Sequence, residues 1–109
     1  MRVIITGGGG FLGSRLVEVY KSKDNAEIIV IALQELLLAK CQSIKCDIAT
    51  DGFDVDLLRE GPCLIYHLAS VFRSAAEDNW ENAVEPNVLR LMNLLKSCRQ
   101  SNFTARRIF

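Results

Sequence analysis

The residues with the plainest chemical meaning in this chain are glycines. The stretch Thr6-Gly7-Gly8-Gly9-Gly10-Phe11-Leu12-Gly13 directly follows the apolar run Val3-Ile4-Ile5. It leads straight into a segment where Leu12, Leu16, Val19 and Tyr20 recur at helical spacing. That order reads as strand, glycine turn, helix. Glycines 7, 10 and 13 fit GxxGxxG and glycines 8, 10 and 13 fit GxGxxG, so spacing leaves the subtype open. In either pattern one glycine permits a turn that other residues would strain, one lets backbone approach a pyrophosphate, and one allows helix and strand to pack closely. The phosphates would lie at the helix N-terminus, where unpaired backbone N–H groups and the macrodipole favour negative charge. A flexible linker is the competing reading of four successive glycines, but a linker would not be clamped between a buried strand and an amphipathic helix.

Other reactive side chains are few. Cysteines stand at 41, 46, 63 and 98 with no CxxC pair, and the single histidine, His67, has no Cys/His neighbourhood at metal spacing. Reduced thiols that fill the core are the expectation. Lys plus Arg and Asp plus Glu are both 13. That balance, with Arg106-Arg107 the only paired bases, gives no basic patch for nucleic acid. The longest apolar runs, Ile28 to Leu33 and Leu36 to Ala39, fall far short of the roughly 20 residues that cross a bilayer. The glycines also interrupt any signal-peptide apolar region close behind Arg2, so a cytoplasmic location is expected.

The elements that must position these groups alternate along the chain. Arg2 to Thr6 reads as the first strand and Phe11 to about Ser22 as the first helix. Glu27 to Leu33 is a β-branched run without alternation, as befits a parallel strand covered on both faces. Gln34 to Lys40 is a short helical or irregular connection, and Gln42 to Cys46 a third strand that leads into Asp47 to Asp51. A helix over Phe53 to Glu60, with Phe53, Leu57 and Leu58 inward, closes at Gly61-Pro62. Cys63 to Ala69 is a fourth strand. The spacing then predicts a long helical region from Ala75 to about Gln100, kinked or broken near Glu85 by Pro86, whose second part turns Val88, Leu91, Met92, Leu94, Leu95 and Cys98 inward. Arg106 to Phe109 opens a fifth strand. A chain of 109 residues is at most one domain. The expected class is α/β, a Rossmann-type doubly wound parallel sheet that is incomplete, with about four strands and the start of a fifth. In such a sheet Gln34, Asp47, Ala69, Ser70 and Asn87 share a rim with Gly7 to Gly13, outside the carboxyl ends of the strands.

Four ordered signals carry a family resemblance: TGGGGFLG after strand one, Asp47-Ile48 after strand three, His67-Leu68-Ala69-Ser70 after strand four, and Asn87-Val88. Together they resemble the extended short-chain dehydrogenase/reductase family of the NAD-dependent epimerase/dehydratase type. The run His67 to Phe72, with Ala76-Glu77 and Asn87, looks most like its D-erythronate dehydrogenase branch. The resemblance implies cofactor contacts at Gly7, Gly10, Phe11, Leu12, Gly13, Gln34, Asp47, Ile48, Leu68, Ala69, Ser70 and Asn87. Asp47 would accept from the adenine amino group while Ile48 packs on the ring; on a bland reading Asp47 only caps the next segment. Leu68, Ala69 and Ser70 would run beside ribose and nicotinamide, and small residues are also what a tight βα turn prefers. Asn87 would steady the turn near the active site, or face solvent on its helix. His67 is implied as a packing and hydrogen-bonding residue, not a catalytic base.

This chain departs from the family at three places. Gln34 stands where NAD-binding folds place an acid for the ribose 2′-OH, which leaves NAD against NADP open and leans to NAD. Arg90 stands where the family has a small residue. The family's chemistry needs a Tyr and, four residues on, a Lys that lowers the Tyr pKa, yet the residues four after Tyr20 and Tyr66 are Asp24 and Ser70. Residues 1–109 are therefore expected to be the cofactor-binding part alone, stopping before the catalytic Tyr/Lys segment. That part would bind NAD without catalysis, and its uncovered sheet edge could drive self-association. A second possibility is a non-catalytic Rossmann-like module that binds a protein.

Overall fold

A computed structural model describes residues 1–59, 63–69, 80–101 and 107–109. The elements are β1 (Arg2–Thr6), α1 (Phe11–Lys21), β2 (Glu27–Ala32), β3 (Cys41–Lys45), α2 (Ile48–Asp51), α3 (Asp56–Arg59), β4 (Cys63–His67), α4 (Trp80–Gln100) and β5 (Arg107–Ile108). All strand pairs are parallel, in the order β3-β2-β1-β4-β5. The chain builds outward from β1 through β2 to β3, then crosses to the other side of β1 for β4. The reversal of direction beside β1 opens a crevice at the carboxyl ends of β1 and β4.

Alternation along the strands divides the core in two. Ile4, Ile29, Ile31 and Ile65 face one way and pack with Ile48, Phe53, Leu58 and Leu94. Val3, Ile5, Ile28 and Val30 face the other way, onto Val17 and Tyr20 of α1. Because both faces of β1 and β2 are covered, their sequences are apolar without a break. Register sets Thr6 between Ile31 of β2 and His67 of β4, at the rim of the crevice.

Several elements differ from the sequence expectation. β3 begins and ends one residue earlier. The helix expected over Phe53 to Glu60 is the single turn α3, since the Asp54 carboxylate accepts from the amide of Asp56 at 2.9 Å and starts the helix there. Glu60, Gly61 and Pro62 lie outside the described residues. Phe53 and Leu58 are buried, and Leu57 packs against the same core. In α1 the buried side is Gly13, Val17 and Tyr20, while Leu12 and Val19 are exposed.

The largest correction concerns α4. Residues 75–79 lie outside the described set, but from Trp80 to Gln100 the helix runs through Pro86 without the expected break. An interior proline removes one backbone bond and costs about 3 kcal/mol. Anchors beyond it offset that cost: Asn93 Nδ2 donates to the Ile48 carbonyl at 2.7 Å and to that of Ala49 at 3.3 Å, and Ser97 Oγ donates to the Phe53 carbonyl at 3.0 Å. These bonds also choose the inward face. Arg90, Leu94 and Ser97 are buried and Cys98 is half-buried, whereas Val88, Leu91, Met92 and Leu95, expected inside, are exposed. The thiols of Cys41, Cys46 and Cys98 are free and half-buried rather than fully internal, and burial raises the pKa of each.

Candidate functional site

The glycine turn crosses the crevice, and its glycines differ in how much room they leave for a side chain. Gly7 has φ +73, a left-handed conformation, and an added Cβ would lie 2.8 Å from the Leu68 carbonyl carbon and the Ala69 nitrogen. At Gly8 a Cβ would run into Val30, and at Gly13 into the Gly7 carbonyl oxygen. Gly10 is unlike these: among the described residues a Cβ there would meet only the Gly7 oxygen, at 3.4 Å. The positive φ at Gly7 makes it the glycine of the tight turn. Gly8 is needed as well, for a packing reason that spacing does not reveal.

Gly10 is also the N-cap of α1, and having no side chain it leaves the helix without a side-chain cap. The first turn carries no acidic residue either. Its amides and the positive end of the dipole are therefore presented to the crevice, which suits an anionic group.

A groove of about 870 Å³ runs along this rim. Its walls include Gly7, Gly10, Phe11, Leu12, Gly13, Gln34, Ile48, Leu68, Ala69 and Asn87. Ten of the twelve residues expected from sequence are thus brought together in one groove. Phe11, Leu12 and Gln34 are exposed, Ile48 is buried, and Leu68, Ala69 and Asn87 are half-buried. Ser70 lies outside the described residues. Asp47 is not among the residues that form the wall. Its Oδ1 accepts from the Ala49 amide at 3.0 Å, capping α2, and lies 3.4 Å from Arg90 Nε. Its capping role is the bland alternative weighed above.

Sequence reasoning did not find Thr6. Its buried hydroxyl accepts from the amide of Ala69 at 3.2 Å and shares that of Leu68 at 3.1 Å. A hydroxyl has one proton to give, and His67 Nδ1 stands 2.9 Å away to receive it. That leaves the imidazole proton on Nε2. Burial, reinforced by the Arg90 charge, lowers the His67 pKa, so the ring is neutral at pH 7. Thr6 thereby ties β1 to the backbone of the β4 turn that the groove needs, and His67 completes that network. The signal was faint: one threonine ending an apolar strand.

Tyr20 is not prepared for proton transfer near neutrality. The Tyr20 and Tyr66 hydroxyls are 2.7 Å apart, and Tyr20 is pushed up to about 12, chiefly by that hydrogen bond and then by burial. Among the described residues no group of His, Cys, Asp and Glu could hold a metal ion. No described helix is long and apolar enough to cross a membrane.

Comparisons with known proteins agree with this fold. Residues 3–109 match the model of the NAD dependent epimerase/dehydratase family. A curated relative, D-erythronate dehydrogenase of Haemophilus influenzae, is 33% identical over 118 residues, which cover 100% of this chain and 37% of that protein. Among solved structures, the GalE-like L-threonine dehydrogenase from Cupriavidus necator in its holo form superposes with a TM-score of 0.77 at 21% identity, covering 100% of this chain and 36% of that one. MoeE5 in complex with UDP-glucose and NAD superposes with a TM-score of 0.80 at 23% identity, covering 99% and 35%. The chain spans little more than a third of the length of these relatives.

Proposed function

Since the chain belongs to the NAD-dependent epimerase/dehydratase family, we propose that its groove binds NAD and that it supplies the cofactor-binding part of a sugar or sugar-acid dehydrogenase or epimerase. The observation that carries this reading is the uncapped N-terminus of α1 at Gly10, where among the described residues only the Gly7 oxygen stands within reach of a Cβ and a pyrophosphate can come up to backbone. Gly7 and Gly13 shape that cradle, with Phe11 and Leu12 at its edge. Gln34, two residues past the end of β2, meets the adenosine ribose; its amide can bond a 2′-OH but gives no charge to hold a 2′-phosphate. Ile48 packs on the adenine. Leu68 and Ala69, with Ser70 after them, border the nicotinamide half, and Asn87 closes the groove from α4.

When bound, NAD supplies a hydride acceptor. Among the described residues neither the tyrosines nor His67 is arranged as an acid–base partner to go with it. Neither tyrosine has a lysine four residues on, and His67 spends Nδ1 on Thr6. These residues alone therefore bind without turnover, and substrate positioning and proton transfer belong to residues outside this span. The exposed apolar side chains of α4 favour one alternative, a Rossmann-like module that binds a protein.

Calorimetric titration with NAD separates the two. Micromolar binding by the 109-residue chain supports the cofactor reading, and no binding by a folded chain favours the module. Sustained production of reduced cofactor from sugar acids or nucleotide sugars, surviving purification to homogeneity, would refute the absence of turnover.

A further inference from the structure

Among the described residues the groove wall holds one charged side chain, Arg90 of α4. That side chain is 9% exposed, an unusual depth for a guanidinium, which carries five N–H donors and stays protonated. One donor has a partner: Nε lies 3.4 Å from Asp47 Oδ1, a long contact to an oxygen that also accepts from the Ala49 amide. The two terminal amino groups have no hydrogen-bond partner among the described residues. No fully buried side-chain nitrogen or oxygen among those residues lacks a partner, so the amino groups account for the little surface Arg90 exposes, and that surface faces the groove. The sheet order fixes where the guanidinium lies. It reaches Asp47, just past β3, and its charge is felt at His67, the last residue of β4. Between those strands stand β2 and β1, a gap of roughly 14 Å at ordinary strand spacing. Since α4 and α1 cover opposite faces of the sheet, Arg90 and the uncapped N-terminus of α1 bracket the groove from two sides.

Resting on the dinucleotide reading above, we propose that Arg90 is the cationic arm of the phosphate site: its terminal amino groups bond the diphosphate of the dinucleotide from the α4 side while the α1 amides bond it from the other. The charges show why a second arm is needed. A helix N-terminus offers the equivalent of roughly half a positive charge against the two negative charges of a diphosphate. Arg90 adds a full charge in a wall that is otherwise neutral, and its planar fork suits two phosphate oxygens at once. The contact from Nε to Asp47 fixes the plane of the guanidinium and leaves the fork free for the anion.

The test is calorimetric titration of the 109-residue chain with NAD and with ADP, which keeps the diphosphate but lacks the nicotinamide half. Arg90→Met, uncharged and similar in reach, should weaken both at least tenfold, the order expected of charge-assisted bonds in a buried site. Arg90→Lys keeps the charge and should stay within fivefold of the parent. Raising salt from about 50 to about 500 mM should weaken both ligands on the parent, and weaken them less on Arg90→Met. A packing role would move affinity without moving that salt dependence, so equal losses in the Met and Lys variants with unchanged salt dependence would overturn the inference. Unchanged or tighter NAD binding by folded Arg90→Met would overturn it as well, and a loss confined to NADP would place the guanidinium at a 2′-phosphate instead. Each of these leaves NAD binding by the parent intact, whereas binding of neither NAD nor ADP by the folded parent overturns the dinucleotide reading itself. If Arg90→Met does not fold, Asp47→Asn/Arg90→Met measured against Asp47→Asn gives the same comparison with no carboxylate left unpaired.

Discussion

Gly10 and Gly13 sit three residues apart in one turn and make opposite demands. A side chain at Gly13 collides with the Gly7 carbonyl, so Gly13→Ala should cost about 1–3 kcal/mol of stability in urea unfolding. At Gly10 the protein leaves room, so Gly10→Val should keep the fold and lower NAD affinity at least tenfold in equilibrium dialysis; unchanged affinity would remove the phosphate-loop assignment. Gln34→Asp adds an acceptor for a 2′-OH and repels a 2′-phosphate, so the ratio of NAD to NADP affinity should rise, and a static ratio would place Gln34 away from the ribose. For His67 the folded state holds the pKa below its ordinary 6.5, which means the unfolded chain takes up a proton first on acidification. Stability should be full above about pH 6.5 and decline as the pH falls through and below that value. Urea midpoints at pH 7.5 and 5.5 check the sign, and His67→Gln should flatten the difference. The glycines were legible in the sequence because their spacing between an apolar strand and a helix is distinctive, and at Gly7, Gly8 and Gly13 a side chain would collide. Thr6 and Arg90 were not, because their roles depend on partners about sixty and about forty residues away in the chain.

At the scale of elements, periodicity identified α4 and placed Leu94 and Cys98 inward correctly, but not Val88, Leu91, Met92 and Leu95, which are exposed. Six apolar residues recur on one side of its second half, and a count of hydrophobicity turns that side in. The actual orientation follows hydrogen bonds to carbonyls of the segment from Ile48 to Phe53, which cannot be read from the helix itself. Asn93→Ala should therefore leave the Ile48 carbonyl without its side-chain donor and cost about 1–3 kcal/mol. It should also speed amide exchange in α2, and if exchange there is unaffected the clamp is not what holds that turn. The strands fared better. Two-sided burial writes itself into β1 and β2 as unbroken β-branched runs, whereas the single turns α2 and α3 are set by Asp47 and Asp54 caps too local for any period to show.

At the scale of the molecule, β3 and β5 each pair on one side only among the described residues, and Val84, Val88, Leu91 and Leu95 stand exposed on α4. Unpaired strand edges and contiguous apolar surface both favour association. Light scattering should accordingly rise with protein concentration, and Leu95→Glu should suppress it if the helix is responsible while leaving it unchanged if the sheet edge is. The strand order carries a consequence for the way the molecule is made. β1 lies at the centre of the sheet, yet one of its two partners, β4, begins about sixty residues later, with Arg2 opposite Cys63. At ribosomal speeds of roughly 5–20 residues per second, β1 waits some 3–12 s after synthesis before that partner exists. During that interval its most apolar segment can satisfy only the β2 side, and the sheet can close only through a long-range encounter, which makes folding slow. The strand that later holds the glycine turn in place is thus the one that stays incomplete longest on the ribosome.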